Sequence, residues 1–330
     1  MIDLITLVET NLSEIAIASI IKRSNLQSNS NAGKDFYDNI NTKNLSQHQG
    51  IYIKIDTNKS LKIEGSLHKY SNEISGKERS NYNLFSMVEA KQTITHLLEK
   101  KGISMERLKV YNYEIGLNLN VLKDCRAYLD KMKSIGAMGS EKQLYVNPKY
   151  NNERVKTTIF SKHTRKYFKA YDKVFESMDR KRKIIPEENI LRIETVNKRL
   201  DNCYVIDFFK QNNLMKLLES FFRDWRTLQF EQDIITPKGT GRARHQLCLD
   251  IINTGKESVL IQAKNRHKNG SLSDWEYRNI KEFISNEWET IKNSITFIQS
   301  DEEKEFRQLI KVNYSILKND EINRKNDEIN

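Results

Sequence analysis

Ile51, Ile53 and Ile55 alternate with polar residues, and beyond the turn residues Asp56 to Ser60 the alternation resumes at Leu61, Ile63, Gly65 and Leu67. A period of two belongs to a strand with one buried face, so this stretch predicts a β-hairpin. Over 85–101 the spacing becomes helical, with Phe85, Val88, Ile94, Leu97 and Leu98 on one side and Gly102 placed to end the helix. Tyr111 to Val121 (YNYEIGLNLNV) puts apolar side chains at every odd position and is the cleanest strand in the chain. A helix over 122–132, two strand-like runs within 155–174 and a strand over 190–198 follow. The opening MIDLITL and the residues after it predict a strand and a short helix. Residues 24–50, rich in Asn, Ser and Gln, and 136–150 predict loops. From Val205 the apolar residues Phe208, Phe209, Leu214, Leu217, Leu218, Phe221, Phe222 and Trp225 recur at three and four, and the polar repeat KNDEIN closes the chain as a frayed helix or tail. Alternating rather than continuously apolar strands predict an α+β fold: an antiparallel sheet covered by helices on one face, with room for two related halves. The expected division is 1–204 for the sheet domain and 205–330 for a helical C-terminal region.

Length and composition narrow the function. The 330 residues, 38% hydrophobic and 30% charged, suit a globular protein with a sizeable core. Fifty-five Lys and Arg against 44 Asp and Glu leave +11, which favours a polyanionic partner, nucleic acid before an anionic membrane surface. Cys125, Cys203 and Cys248 form neither a CxxC clip nor an even disulfide set, which points to a reducing cytoplasm and no structural zinc. Asp3, Glu9 and Glu14 interrupt what a signal peptide would keep uncharged, and no stretch approaches a membrane span, so no membrane partner is expected.

Fixing the apolar set of each strand fixes what shares the other face. Lys62, Glu64, Ser66 and His68 stand opposite the apolar set of the hairpin; Asn112, Glu114, Gly116, Asn118 and Asn120 do so in the next strand, and Arg192 and Glu194 in the strand over 190–198. In SKHTRKYFKAYDKVF the odd positions are His163, Arg165, Tyr167, Lys169, Tyr171 and Lys173, each basic or aromatic. Residues 153–200 hold 14 Lys and Arg against seven Asp and Glu, which concentrates the positive field here. Cations meet phosphates and aromatic rings stack on exposed bases, the chemistry of single-stranded DNA binding. His163, Arg165, Tyr167, Lys169 and Arg192 are the expected DNA contacts. A tyrosine, a lysine and two or three carboxylates on one face suggest metal-assisted phosphoryl transfer: Glu114, Glu194, Glu64 and His68 as ligands of Mg²⁺ or Mn²⁺, Tyr171 as nucleophile, and Lys173 to neutralise charge or carry a proton. Taken singly, each glutamate is more simply a solvated residue and Tyr171 a sheet aromatic; only their shared face supports the sharper reading.

These residues resemble a known family: the replication initiators of filamentous phages, of the gene-two type, and their relatives on small rolling-circle plasmids. MIDLITL, then KIEGSLHKY with NYNLF, YNYEIGLNL, TTIFSKHTRKYFKAYDKVFE and ILRIETVNKRL are similar to that family's segments and occur in its order across about 200 residues. The resemblance implies an HUH/Rep-like nuclease core and a strand-specific endonuclease that nicks a replication origin. Tyr171 would become linked to the 5′ phosphate, a 3′-OH would be freed as primer, and the displaced strand would be rejoined. A helicase and a polymerase of a bacterial host are the implied partners, and the host cytoplasm the implied compartment. The chain departs from the pattern in lacking the paired histidines many rolling-circle enzymes use as metal ligands; Asn81, Tyr82 and Asn83 stand where phage relatives have Gly-His-Asn. Without His68, Glu64, Glu114 and Glu194 would form an all-carboxylate site, and Tyr167 is placed to act as a second tyrosine.

Two other readings compete. Asp250, then Gln262 and Lys264 in a strand-like run, resemble a metal-dependent nuclease of restriction type that cuts without a covalent adduct. A basic origin-binding protein without catalysis would need only the charged sheet.

Overall fold

In the computed structural model, which describes residues 1–31, 33–39, 50–137, 139–147, 154–159, 161 and 163–327, the alternating segments become strands and the three- and four-spaced segments become helices. The first half of the sheet is built from β1 (Ile2–Glu9), α1 (Glu14–Ser24), β2 (Gln27–Asn31), β3 (Lys34–Asp38), β4 (Ile51–Asp56), β5 (Leu61–Ser66), α2 (Leu67–Ile74) and α3 (Met87–Lys101). The second half comprises β6 (Lys109–Asn120), α4 (Cys125–Lys131), β7 (Met132–Ile135), β8 (Lys142–Val146), β9 (Val155–Thr158), β10 (Lys166–Asp172), α5 (Lys173–Asp179) and β11 (Ile190–Lys198), followed by α6 (Val205–Phe208) and α7 (Gln211–Arg226). The strands pair antiparallel in the order β7-β8-β9-β10-β11-β6-β1-β5-β4-β3-β2. The protein is therefore α+β with a large antiparallel sheet.

Local chemistry sets the ends of these elements. Ser86 and Glu89 form a reciprocal capping box at the start of α3, and Gly102, at φ 66°, closes it in the left-handed conformation a glycine adopts without strain. β5 runs directly into α2 through the cap Ser66, and β10 directly into α5 through the cap Asp172, so one strand-to-helix junction occurs in each half.

The apolar face of the sheet is the core. Leu117, Leu119, Leu191 and Ile193 are buried there, the Trp225 indole of α7 donates to Thr195 Oγ1 at 3.2 Å, and Phe208 of α6 meets Tyr113 edge-on at 5.0 Å. On the opposite face Tyr52, Lys54, Lys62, Glu64, Asn112, Glu114, Lys169 and Tyr171 are each partly exposed.

Two compact units divide the chain: Met1–Leu228 with Phe306–Asn330, and Gln229–Glu305. The expected boundary at 204/205 thus falls elsewhere, because α6 and α7 supply the cover of the sheet's apolar face. The second unit contains β12 (Gln229–Phe230), β13 (Asp233–Ile235), α8 (Arg242–Thr254), α9 (Lys256–Lys268), α10 (Asp274–Glu282), a π-helical turn over Phe283–Glu287, α11 (Trp288–Lys292) and β14 (Thr296–Ile298), which pairs with β13. Its core gathers Ile234, Cys248, Ile251, Val259, Phe283, Ile284 and Trp288. The last helix, α12 (Asp301–Asp327), contributes Phe306, Ile310 and Leu317 to the first unit as buried residues.

Several expectations are corrected. Within 24–50, Gln27–Asn31 and Lys34–Asp38, whose large apolar side chains are Phe36 and Tyr37 alone, form β2 and β3 at the end of the sheet through backbone pairing; 40–49 lie outside the described residues. The loop expected over 136–150 contains β8. Of the two forms expected for the polar end of the chain, helix or tail, the helix is observed, as α12 continues to Asp327. No helix among the described residues is long and apolar enough to cross a membrane.

Candidate functional site

Register brings the polar face together. In the β10–β11 ladder Lys169 opposes Glu194 and Tyr171 opposes Arg192; in the β11–β6 ladder Glu194 opposes Gly116, Arg192 opposes Asn118 and Val196 opposes Glu114. Side chains directly opposite share a face, so three adjacent strands deliver Tyr171, Lys169, Arg192, Glu194, Asn118 and Glu114 to one surface.

At its centre lies Glu194, whose side chain is 4% exposed. Its Oε1 accepts from the Tyr171 hydroxyl at 2.9 Å and from Arg192 Nε at 2.6 Å, and its Oε2 faces the Lys169 ammonium at 2.8 Å. Lys169 also reaches Glu114, at 3.3 Å from Oε2. Arg192 is fully buried; its Nη1 donates to Asn118 Oδ1 at 2.9 Å and its Nη2 to Asp3 Oδ2. Asn118 in turn donates to the carbonyls of Asn81 and Tyr82, at 2.7 and 2.9 Å. Asp3 accepts from Ser66 Oγ and from Asn81 Nδ2. Gly116 leaves the space the guanidinium fills, since a Cβ there would come within 2.4 Å of Arg192 Nη2.

The electrostatics follow from these contacts. Burial raises the Glu114 carboxyl, and the neighbouring Glu194 charge raises it further, to about 7. Burial would raise Glu194 as well, but Lys169 and Arg192 outweigh it and bring that carboxyl down to about 2. Lys169 stays protonated because its two carboxylates overcome the cost of burial. Burial and the Glu194 charge push the Tyr171 phenol well above its usual value, so in this state the shared proton sits on the tyrosine.

The remaining expected residues are distributed differently. Lys173 is the first residue of α5 rather than a strand residue; it is buried, bonded to Glu176 at 2.9 Å, with its ammonium 5.6 Å from the Tyr171 ring centre and 5.8 Å from that of Tyr82. The strand stops at Asp172 because that residue caps the helix, donating none of its own alternation to Lys173. His163 is exposed in a turn before β10, and Arg165 pairs with Asp201 at 2.7 Å. Tyr167 shares the strand face, largely buried, with the Lys198 ammonium 5.0 Å from its ring centre. Arg192 is not a free cation for DNA, since Asp3, Glu194 and Asn118 surround it.

For a divalent cation the donor set does not fit. Glu64 lies on the same face, but it pairs with Lys62 and opposes Thr6 of β1, which places it two strands from Glu114, about 10 Å at ordinary strand spacing. His68 is buried at the start of α2, stacked on Phe85 at 4.5 Å and hydrogen-bonded through Nε2 to Asn83 Oδ1 at 2.9 Å; burial lowers it to about 3. Glu114 and Glu194 already share the Lys169 ammonium. Among the described residues no three His, Cys, Asp or Glu side chains converge to hold a metal ion.

A cleft of about 330 Å³ adjoins the network, walled by His68, Tyr82, Asn83, Gly116, Asn118 and Arg192 among others. The strand-like run expected around Asp250, Gln262 and Lys264 is helical instead, in α8 and α9; Asp250 accepts from Gln246 one turn earlier. Asp3 is the participant that pattern reading missed. Its signal is a carboxylate between Ile2 and Leu4 near the start of a largely apolar strand, a position that calls for a buried partner.

No protein-family model matches the chain, and a search of curated proteins likewise finds no match.

Proposed function

We propose that this protein is a rolling-circle replication initiator that nicks single-stranded origin DNA through Tyr171 and later reverses the reaction. The observation that carries this reading is the Tyr171 hydroxyl hydrogen-bonded to a buried carboxylate, beside a lysine ammonium, on a partly open sheet face. In the nicking step the phenol oxygen attacks the scissile phosphorus, the P–O3′ bond breaks, and the 5′ phosphate remains on the tyrosine. The phenol proton passes to Glu194 Oε1, its existing hydrogen-bond partner; the departing 3′ oxygen takes a proton from a water molecule, and the hydroxide so formed recovers the proton from Glu194. Rejoining runs the same bonds in reverse. Glu194 is a weak base while both Lys169 and Arg192 rest on it; an incoming phosphate that draws Lys169 away strengthens it.

The charge distribution supports a DNA partner for the sheet. Residues 229–305 hold 11 Lys and Arg against 13 Asp and Glu, so the chain's positive surplus belongs to the first unit. The test is incubation with a 3′-labelled random-sequence single-stranded DNA pool and denaturing electrophoresis. An SDS-resistant labelled adduct in the wild type that is absent from Tyr171→Phe supports the proposal; cleavage without adduct in both proteins contradicts it.

A further inference from the structure

The two carboxylates best placed to take a metal ion are bridged by a cation the chain supplies itself. Lys169 stands directly opposite Glu194 in the β10–β11 ladder, and Glu114 lies on the next strand, so the sheet register aims the lysine between them. Its Nζ is 2.8 Å from one Glu194 oxygen and 3.3 Å from Glu114. The other Glu194 oxygen is taken by Arg192 and Tyr171. A Mg²⁺ ion bound here would need those same oxygens at about 2.0–2.1 Å, and the larger Mn²⁺ the same oxygens in direct coordination, which cannot be satisfied while the ammonium is seated.

We propose that Lys169 is the resident cation of the Tyr171 site, holding the place of a divalent metal ion and meeting the scissile phosphate itself. The proposal rests on the reading of Tyr171 as the nucleophile for its catalytic half, but the exclusion of metal stands on the geometry alone. One ammonium serves two carboxylates, which accords with the raised Glu114 carboxyl: the second negative charge is only partly compensated. Arg192 does not fill this role, since its guanidinium is buried behind Glu194 among Asp3 and Asn118.

The experiment is a Mn²⁺ titration of the whole protein without DNA, followed by the electron paramagnetic resonance signal of the free ion. Wild type and Lys169→Arg are expected to show no site dependent on Glu114. Lys169→Ala, which leaves Glu114 and Glu194 without a cation, gains one site about ten-fold tighter than any in the wild type, and adding Glu114→Gln removes it. Lys169→Met, monitored by circular dichroism, serves as the second uncharged variant should the alanine variant fail to fold. A wild-type Mn²⁺ site abolished by Glu114→Gln overturns the proposal, as does a folded uncharged variant that gains none. In the nicking assay, wild-type adduct is expected to persist in excess EDTA; adduct that forms only with added metal overturns the catalytic half. If no adduct forms under any condition, the Tyr171 reading fails, while the Mn²⁺ titration still decides what occupies the carboxylate pair.

Discussion

A guanidinium removed from water is tolerated only when charges and acceptors meet its hydrogens, and Arg192 meets Asp3, Glu194 and Asn118 while wholly buried. Arg192→Met leaves the buried Asp3 without its cation and Glu194 with Lys169 alone, and is expected to cost about 3–5 kcal/mol in urea unfolding. Gly116→Ala, which drives a methyl into the guanidinium, is expected to cost about 1–3 kcal/mol in the same measurement. Glu114 makes a pH-dependent prediction. Its carboxyl is raised to about 7 in the folded protein, so between the ordinary carboxylate range and 7 the native state holds a proton the unfolded chain has lost, and stability falls as pH rises through that window. Glu114→Gln is expected to flatten this decline, read as urea midpoints from pH 5 to pH 8; an unchanged slope would contradict the assignment. Alternation in the sequence was enough to place Glu114, Lys169, Tyr171, Arg192 and Glu194 on one face. It is silent on partners: Lys169, expected as a cation facing DNA, is held by Glu194 and Glu114 of other strands, and Arg192 by Asp3 of β1 as well as Glu194 of its own strand, because face is a local property and pairing depends on which strands become neighbours.

Among elements, the junctions decide which side chains reach the site. Asp172 accepts from the Phe175 amide and ends β10, so Lys173 begins α5 and turns into the interior. The odd-position pattern continued through 173 and could not register this stop, although Asp as a helix cap was its available signal. The run holding Asp250, Gln262 and Lys264 is likewise helical where a strand is expected: short apolar runs fit a strand or a helix, and length favours the helices. The edge strands β2 and β3 were hidden because their polar residues pair through the backbone. The α3 capping box offers a control outside the hydrogen-bond network around Glu194. Ser86→Ala is expected to cost about 1 kcal/mol of stability while leaving adduct formation by the folded protein unchanged.

Across the whole molecule, the end of the chain returns to complete the first unit. Arg307 donates to the carbonyls of Arg226 and Leu228, each at 2.7 Å, and Glu321 accepts from the Val88 amide at 3.0 Å and from Gln211 at 2.9 Å. Truncation after Glu305 removes the buried Phe306, Ile310 and Leu317 and is expected to abolish the cooperative thermal transition of the first unit. Because Arg307 lies against Leu228, a short Gly/Ser link in place of 229–305 is expected to preserve that transition. The most direct test of nucleophilic nicking by Tyr171 is peptide mass spectrometry of the SDS-resistant adduct formed with single-stranded DNA. A nucleotide mass is expected on the peptide carrying Tyr171, on that tyrosine. A nucleotide on another residue, or nicked DNA released with no covalent protein, would contradict it.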